Sequence, residues 1–166
     1  MKKLSAGLVV YRLKDGSLEI LLAHMGSPWW AKKDTGAWSI PKGEYDEHEE
    51  PLAAAKREFN EELGMPAPTG ELIELGVVEQ NNNKSVMAWA IEADLDLSNT
   101  KSNMTEIEWP PHSGQVQKFP EIDRAEYKPI NSAKEKCVSG QAELLDRLTQ
   151  KIGIKVDEPP TQSSLF

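Results

Sequence analysis

Cysteine is nearly absent from these 166 residues: Cys137 stands alone, so no disulfide can form within the chain and a cysteine-rich zinc site is excluded. Long apolar runs are missing too. The best of them, Ala6–Tyr11, is interrupted by Gly7 and is far too short to cross a bilayer. Arg12, Lys14 and Asp15 arrive before a signal-peptide core can follow Met1-Lys2-Lys3. Positive charge is in the minority: 19 Lys and Arg against 27 Asp and Glu give a formal charge of −8 and a pI near 5.0. That balance argues against a protein that grips nucleic acid through a basic face. It leaves room for a local basic pocket that takes a phosphorylated small molecule. A lone thiol fits a reducing compartment, and the expectation is a cytoplasmic, enzyme-sized domain.

What is present has a clear order. Lys3–Leu13 and Ser17–Ala23 are rich in Leu, Val, Ile and Tyr and flank Lys14-Asp15-Gly16, a hairpin signal because glycine accepts the positive φ of a tight turn. Met25–Gly36 reads as a long loop, and Ala37–Ile40 as a short strand stopped by Pro41. Leu52–Leu63 carries Leu52, Ala55, Phe59 and Leu63 on one helical stripe, with Gly64 placed to end it. Strands are expected over Glu71–Gln80 and Ser85–Ala93, joined by Asn81-Asn82-Asn83-Lys84. Asp94–Gln117 reads as irregular, Glu126–Pro129 as a last short strand, and Gln141–Ile152 as a terminal helix burying Leu144, Leu145, Leu148 and Ile152. Strands around a central helix, closed by another helix, predict a mixed α/β sandwich over 1–152. Residues 153–166 turn to Pro, Gln, Ser and Thr and read as a flexible tail.

The informative stretch runs from Gly43 to Met65. Glu58, Glu61 and Glu62 stand at i, i+3 and i+4, so their carboxylates leave one side of a helix. Three adjacent like charges weaken a helix unless a cation neutralises them, and a hard divalent ion takes several such oxygens. Arg57 can hold a neighbouring carboxylate bidentately, with Glu49 the candidate. Gly43 allows an unusual backbone path and offers a carbonyl close by. Glu-rich helix faces are common and usually only solvated, but the spacing here is specific. Gly, five residues, Glu, seven residues, Arg-Glu-apolar, one residue, Glu-Glu, one residue, Gly-apolar is matched throughout, a pattern expected by chance below about once in 10⁸ starting positions.

On these residues the chain resembles the Nudix (MutT-like) hydrolase family, whose box is 43–65 here. The resemblance implies an α/β/α sandwich with a mixed sheet, and metal-dependent cleavage of a pyrophosphate bond in a nucleoside diphosphate-linked substrate. It implies magnesium, with manganese as the alternative ion, held by Glu58, Glu61, Glu62 and the Gly43 carbonyl. Glu58 is the first choice for the water-activating base and Glu61 its rival, with Arg57 and Glu49 in support. A further carboxylate from a later loop is expected, and Glu121 is the candidate, followed by Asp123 and Glu126.

Pro41-Lys42-Gly43 looks like the tripeptide of dinucleoside polyphosphate and diphosphoinositol polyphosphate hydrolases, which places Lys42 against a phosphate. Lys32 and Lys33 are candidates for an outer phosphate. Trp30 and Tyr45 are candidates to stack on a base, while Trp38 reads as core. A dinucleoside polyphosphate or another nucleotide is favoured. Oxidised nucleotides remain open, an RNA 5′ end lacks a basic stripe, and a diphosphoinositol wants more Lys and Arg than is present. An isoprenoid diphosphate isomerase would normally need a cysteine before the box. The rival from another class, an inactive nucleotide-binding sensor, needs no intact acidic cluster. His24, His48 and His112 are isolated and read as surface residues, and Cys137 as a small, at least half-buried one. Finally, Gln162-Ser163-Ser164-Leu165-Phe166 resembles the pentapeptide by which bacterial replication proteins bind the sliding clamp, a contact through Gln162, Leu165 and Phe166. No membrane and no stable nucleic-acid partner are expected.

Overall fold

The computed structural model describes residues 2–154. The clamp-like motif, with Gln162, Leu165 and Phe166, lies outside the described residues, as does the rest of the expected tail from 155 onward. Two long strands, β1 (Lys3–Lys14) and β2 (Ser17–Met25), form the predicted hairpin, and both turn residues take positive φ, Asp15 at 52° and Gly16 at 79°. They pair antiparallel only over Tyr11–Lys14 and Ser17–Ile20. Beyond that point the strands part, and two short strands fill the wedge. β3 (Trp38–Ser39) joins β2, and β4 (Lys42–Glu44) joins β1 with Ala6 opposite Gly43. This wedge carries the start of the box.

On its other edge β1 pairs in parallel with β6 (Lys84–Glu92), which is antiparallel to β5 (Leu72–Asn81). β9 (Ile122–Pro129) joins the far side of β2, completing a mixed seven-stranded sheet among the described residues. One face buries Ala6, Leu8, Val10, Leu21 and Ala23 against Ala54, Ala55, Phe59 and Leu63 of α1 (Pro51–Leu63). The other buries Val9, Tyr11, Ile20, Leu22 and Trp38 against α2 (Ile130–Lys136) and α3 (Gln141–Ile152). The result is the expected α/β/α sandwich. Alternation along β1 explains it, since successive side chains point to opposite faces and both faces are covered.

Several expectations need correcting. Asp94–Gln117 is not wholly irregular: β7 (Met104–Glu108) and β8 (Val116–Pro120) form a separate two-stranded antiparallel ladder. The last strand starts at Ile122, four residues before the expected Glu126, because the whole length of β9 pairs with β2. His24 is not a surface residue but is fully buried. Cys137 is buried as expected, which pushes its thiol up to about 11. Among the described residues no helix is long and apolar enough to cross a membrane.

Candidate active site

Helix α1 presents Glu58, Glu61 and Glu62 in its last two turns. This is a poor place for negative charge. The C-terminal end carries the helix's negative pole, and no basic residue occupies the last turn to offset it. Gly64, in the left-handed conformation at φ 71°, stops the helix at this point and donates its N–H to the Asn60 carbonyl at 2.7 Å. Local helix preference therefore opposes the cluster, and positive charge brought against it must compensate.

Arg57 supplies part of that compensation. Its Nε and Nη2 donate to the two carboxylate oxygens of Glu49 at 2.8 and 2.9 Å, the bidentate pair expected from the sequence. Nη1 donates to Glu58 Oε1 at 2.8 Å and Glu61 Oε2 at 3.1 Å, and Nη2 reaches the Glu44 carbonyl at 3.4 Å. These bonds, Glu49 foremost, raise the guanidinium's already high pKa, and the same bond holds Glu49 below the usual carboxylate value.

Strand β4 lies directly under the helix. A Cβ on Gly43 would stand 1.9 Å from Glu58 Cδ, so only glycine lets the strand backbone meet that carboxylate. The Lys42 N–H donates to Glu62 Oε2 at 3.4 Å. Burial pushes Glu62 up to about 8; Lys42 opposes the shift, and the charges of Glu121 and Glu58 add to it. Burial also raises Glu58, against the pull of Arg57, and pushes the Lys42 ammonium down.

Glu121, between β8 and β9, belongs to the same electrostatic cluster: its carboxyl is raised by burial and then by Glu58 and Glu61. A relay of backbone bonds holds it there. Its N–H donates to the Asn103 carbonyl at 2.9 Å, the Asn103 N–H donates to the Glu61 carbonyl at 3.1 Å, and the Gly26 N–H donates to the Glu121 carbonyl at 3.0 Å.

The donors assembled here are oxygens: carboxylates of Glu58, Glu61, Glu62 and Glu121, and the Gly43 carbonyl. Such a set fits a hard divalent cation, magnesium or manganese, rather than a soft one. Burial is the first cause of the upward shifts of Glu58, Glu62 and Glu121, and the neighbouring carboxylates that add to each are negative charge that such an ion neutralises. Among the described residues no three Asp, Glu, His or Cys side chains already stand together as a ligand set, and Glu58 and Glu61 both accept from Arg57.

The substrate candidates divide between two supports. Trp30 and Lys33 lie in the loop after β2 and face each other, Lys33 Nζ standing 4.8 Å from the Trp30 ring centre. Tyr45 follows β4, bonds through its N–H to the Leu4 carbonyl at 3.1 Å, and lines a cleft of about 440 Å³ with Lys2, Lys3 and Glu44. Sequence reasoning missed His24, whose Nδ1 lies 2.8 Å from Asp123 Oδ1 and whose Nε2 lies 2.5 Å from the Lys33 carbonyl. It ties the loop to the strand that follows Glu121. It also missed Trp109, which packs edge to face on Trp29.

The Nudix domain model matches residues 1–148. The chain belongs to the Nudix family. The membership carries the enzyme class, a pyrophosphohydrolase, and agrees with the intact box. Among solved structures, the Nudix domain of Shewanella oneidensis NrtR in complex with ADP ribose superposes with a TM-score of 0.61 at 12% identity, covering 92% of this chain and 89% of that one. The Caenorhabditis elegans Ap4A hydrolase binary complex gives 0.59 at 22% identity, covering 91% and 98%. A MutT protein from Methanosarcina mazei gives 0.60 at 16%, covering 92% and 96%. At these identities the likeness is one of fold. No curated protein is similar to this Nudix chain in sequence at a significant level.

Proposed function

We propose that this Nudix enzyme hydrolyses a pyrophosphate bond in a nucleotide with a polyphosphate bridge, a dinucleoside polyphosphate being the first substrate to try. The observation that carries the reading is the meeting of the Glu58 carboxylate with the Gly43 backbone, beside Glu61, Glu62 and Glu121 and under the hold of Arg57. Glu58, Glu61, Glu62, Glu121 and the Gly43 carbonyl would hold magnesium or manganese. When bound, the ion neutralises phosphate charge and lowers the pKa of water.

The chain's own residues do the rest. Glu58, with Glu61 as its rival, takes the proton from the attacking water. Arg57, gripped by Glu49, keeps both carboxylates aimed. Lys42, in the Pro-Lys-Gly tripeptide, and Lys33 face phosphates, while Trp30 and Tyr45 offer ring faces to a base. The tripeptide supports the dinucleoside class, and so does the likeness to a protein described as an Ap4A hydrolase. The reaction takes place in the cytoplasm. The end of the chain adds a separate contact, a sliding clamp held through Gln162, Leu165 and Phe166, which deletion of the last two residues should abolish without loss of hydrolysis.

Magnesium-dependent phosphate release from diadenosine polyphosphates, nucleotide sugars, ADP-ribose, ordinary and oxidised nucleoside triphosphates and capped RNA tests the reading. Preference for a dinucleoside polyphosphate supports it, and preference for an oxidised nucleotide or an RNA end moves the assignment within the family. Silence across the panel with nucleotide binding retained makes the protein a sensor.

A further inference from the structure

The loop after β2 and the β7–β8 hairpin both lead back to the carboxylate cluster, and they meet at their outer ends. Trp29, 48% exposed at the loop tip, and Trp109, which follows β7, have ring centres 5.3 Å apart and planes at 86°. Their supports are firm. The Trp30 and Ala31 N–H groups donate to the Ser27 carbonyl at 2.9 and 3.0 Å, the Trp38 Nε1–H donates to Asp34 at 2.9 Å, and Lys136 pairs with Asp34. Across the gap, the Trp109 N–H donates to the Gln115 carbonyl and its carbonyl accepts from Gln117 Nε2, both at 2.9 Å. Gly26 approaches the end of the hairpin so closely that a Cβ there would meet the Pro120 carbonyl at 2.5 Å. Loop, hairpin and Glu121 thus form one frame.

Resting on the nucleotide reading above, we propose that Trp29 and Trp109 form a pair of base-binding jaws, closing on one nucleobase of the substrate at a place apart from Trp30 and Tyr45. A pair needed only to fasten the loop would duplicate the backbone bonds and side-chain ties that already hold it, and would leave half an indole in water for little gain. An aromatic ring with a free face is instead what a base requires, since every base has a π-face to stack. Opening takes only rotation of the exposed Trp29 side chain, because its backbone is fixed.

The hairpin also sets a reach. Met104 pairs with Pro120, beside Glu121, and Trp109 lies five residues farther along, up to about 17 Å at the rise of a strand. A base held there favours a substrate with several phosphates between that base and the bond broken at the carboxylates.

Trp29→Leu and Trp109→Leu, with Trp29→Phe and Trp109→Phe beside them, test the proposal on the full chain. Against the best nucleotide the Leu variants should raise KM about tenfold or more, the loss of one stacking contact, with kcat within about twofold and the Phe variants near wild type. In EDTA, ADP should quench tryptophan fluorescence in the wild type, pyrophosphate should not, and the Leu pair should lose most of the quench. Unchanged KM and unchanged quenching in the Leu variants overturn the proposal. So does a fall in kcat and melting temperature together with no nucleotide-specific KM effect, which makes the pair a fastener. If the wild type hydrolyses no nucleotide, the hydrolase reading falls, and the ADP titration alone decides the base site.

Discussion

A methyl group at position 43 would stand 1.9 Å from the Glu58 carboxyl carbon and 2.1 Å from its Oε2. The obstructed atoms end a rotatable side chain, so Gly43→Ala should cost little stability. It must, however, move the carboxylate on which the chemistry depends. We expect turnover to fall by at least about a hundredfold, the scale of losing a positioned base, with a melting temperature close to wild type; steady-state kinetics and a melt on the same sample check this. Glu62 gives a second prediction at this scale. Its carboxyl, ordinarily near 4.5, sits at about 8 in the folded chain. An acid raised on folding keeps a proton that the unfolded chain has released, so its contribution to stability is lost as pH rises through that window. In EDTA, Glu62→Gln should therefore melt higher than wild type at pH 9 and much the same at pH 4. A wild-type advantage at pH 9 contradicts the burial argument. Much of this was legible in the sequence, because Gly43, Glu49 and Arg57 through Glu62 lie close together along the chain. His24 was not legible, since its partner Asp123 is 99 positions away and no local pattern marks such a pair.

Among the elements, β1, β2, α1 and α3 follow from turn chemistry and apolar period, and their observed ends lie within a residue or two of the expected ones. The β7–β8 ladder is not legible in the sequence because it stands apart from the main sheet and has no buried face: β7 alternates only between exposed and half-buried residues, β8 is exposed over Val116–Lys118, and Pro110 and Pro111 lie between them. α2 spans only 7 residues, too short for a helical period to stand out, and packing holds it. The edge strand β5 carries a testable device. Gly76, at φ 81°, breaks its register with β6, and Arg147 of α3 donates from Nη1 to the Leu75 and Val77 carbonyls at 2.9 and 3.0 Å. Arg147→Ala leaves those carbonyls without this donor. It should cost about 1–2 kcal/mol, or several degrees in melting temperature, with turnover unchanged. A silent melt would show that water replaces the guanidinium.

Over the whole molecule, the parting of β1 from β2 decides where chemistry sits. The wedge places β4 under α1, and the sheet then returns β9 to β2, so that residues 43, 58 and 121 converge from a strand, a helix and a connection. The first two of those belong to one motif, whereas Glu121 comes from a connection whose path depends on the assembled fold. His24 ties the start of β9, next to Glu121, to the loop after β2 by bonding both Asp123 and the Lys33 carbonyl. His24→Phe keeps a planar ring, slightly larger, and removes both bonds, which should destabilise by about 1–3 kcal/mol and lower activity by letting the Glu121 segment shift. Full activity with a lowered melt would confine His24 to stability.

The central claim is that the carboxylates on α1 act on phosphate, and the direct test compares Glu58→Gln and Glu61→Gln with wild type on the best nucleotide substrate in magnesium. Both changes keep shape and remove charge. The account predicts a loss of at least about a thousandfold in kcat for the one that serves as base and also holds the ion, with circular dichroism and melting unchanged or improved. Turnover within a few-fold of wild type in both variants would contradict it.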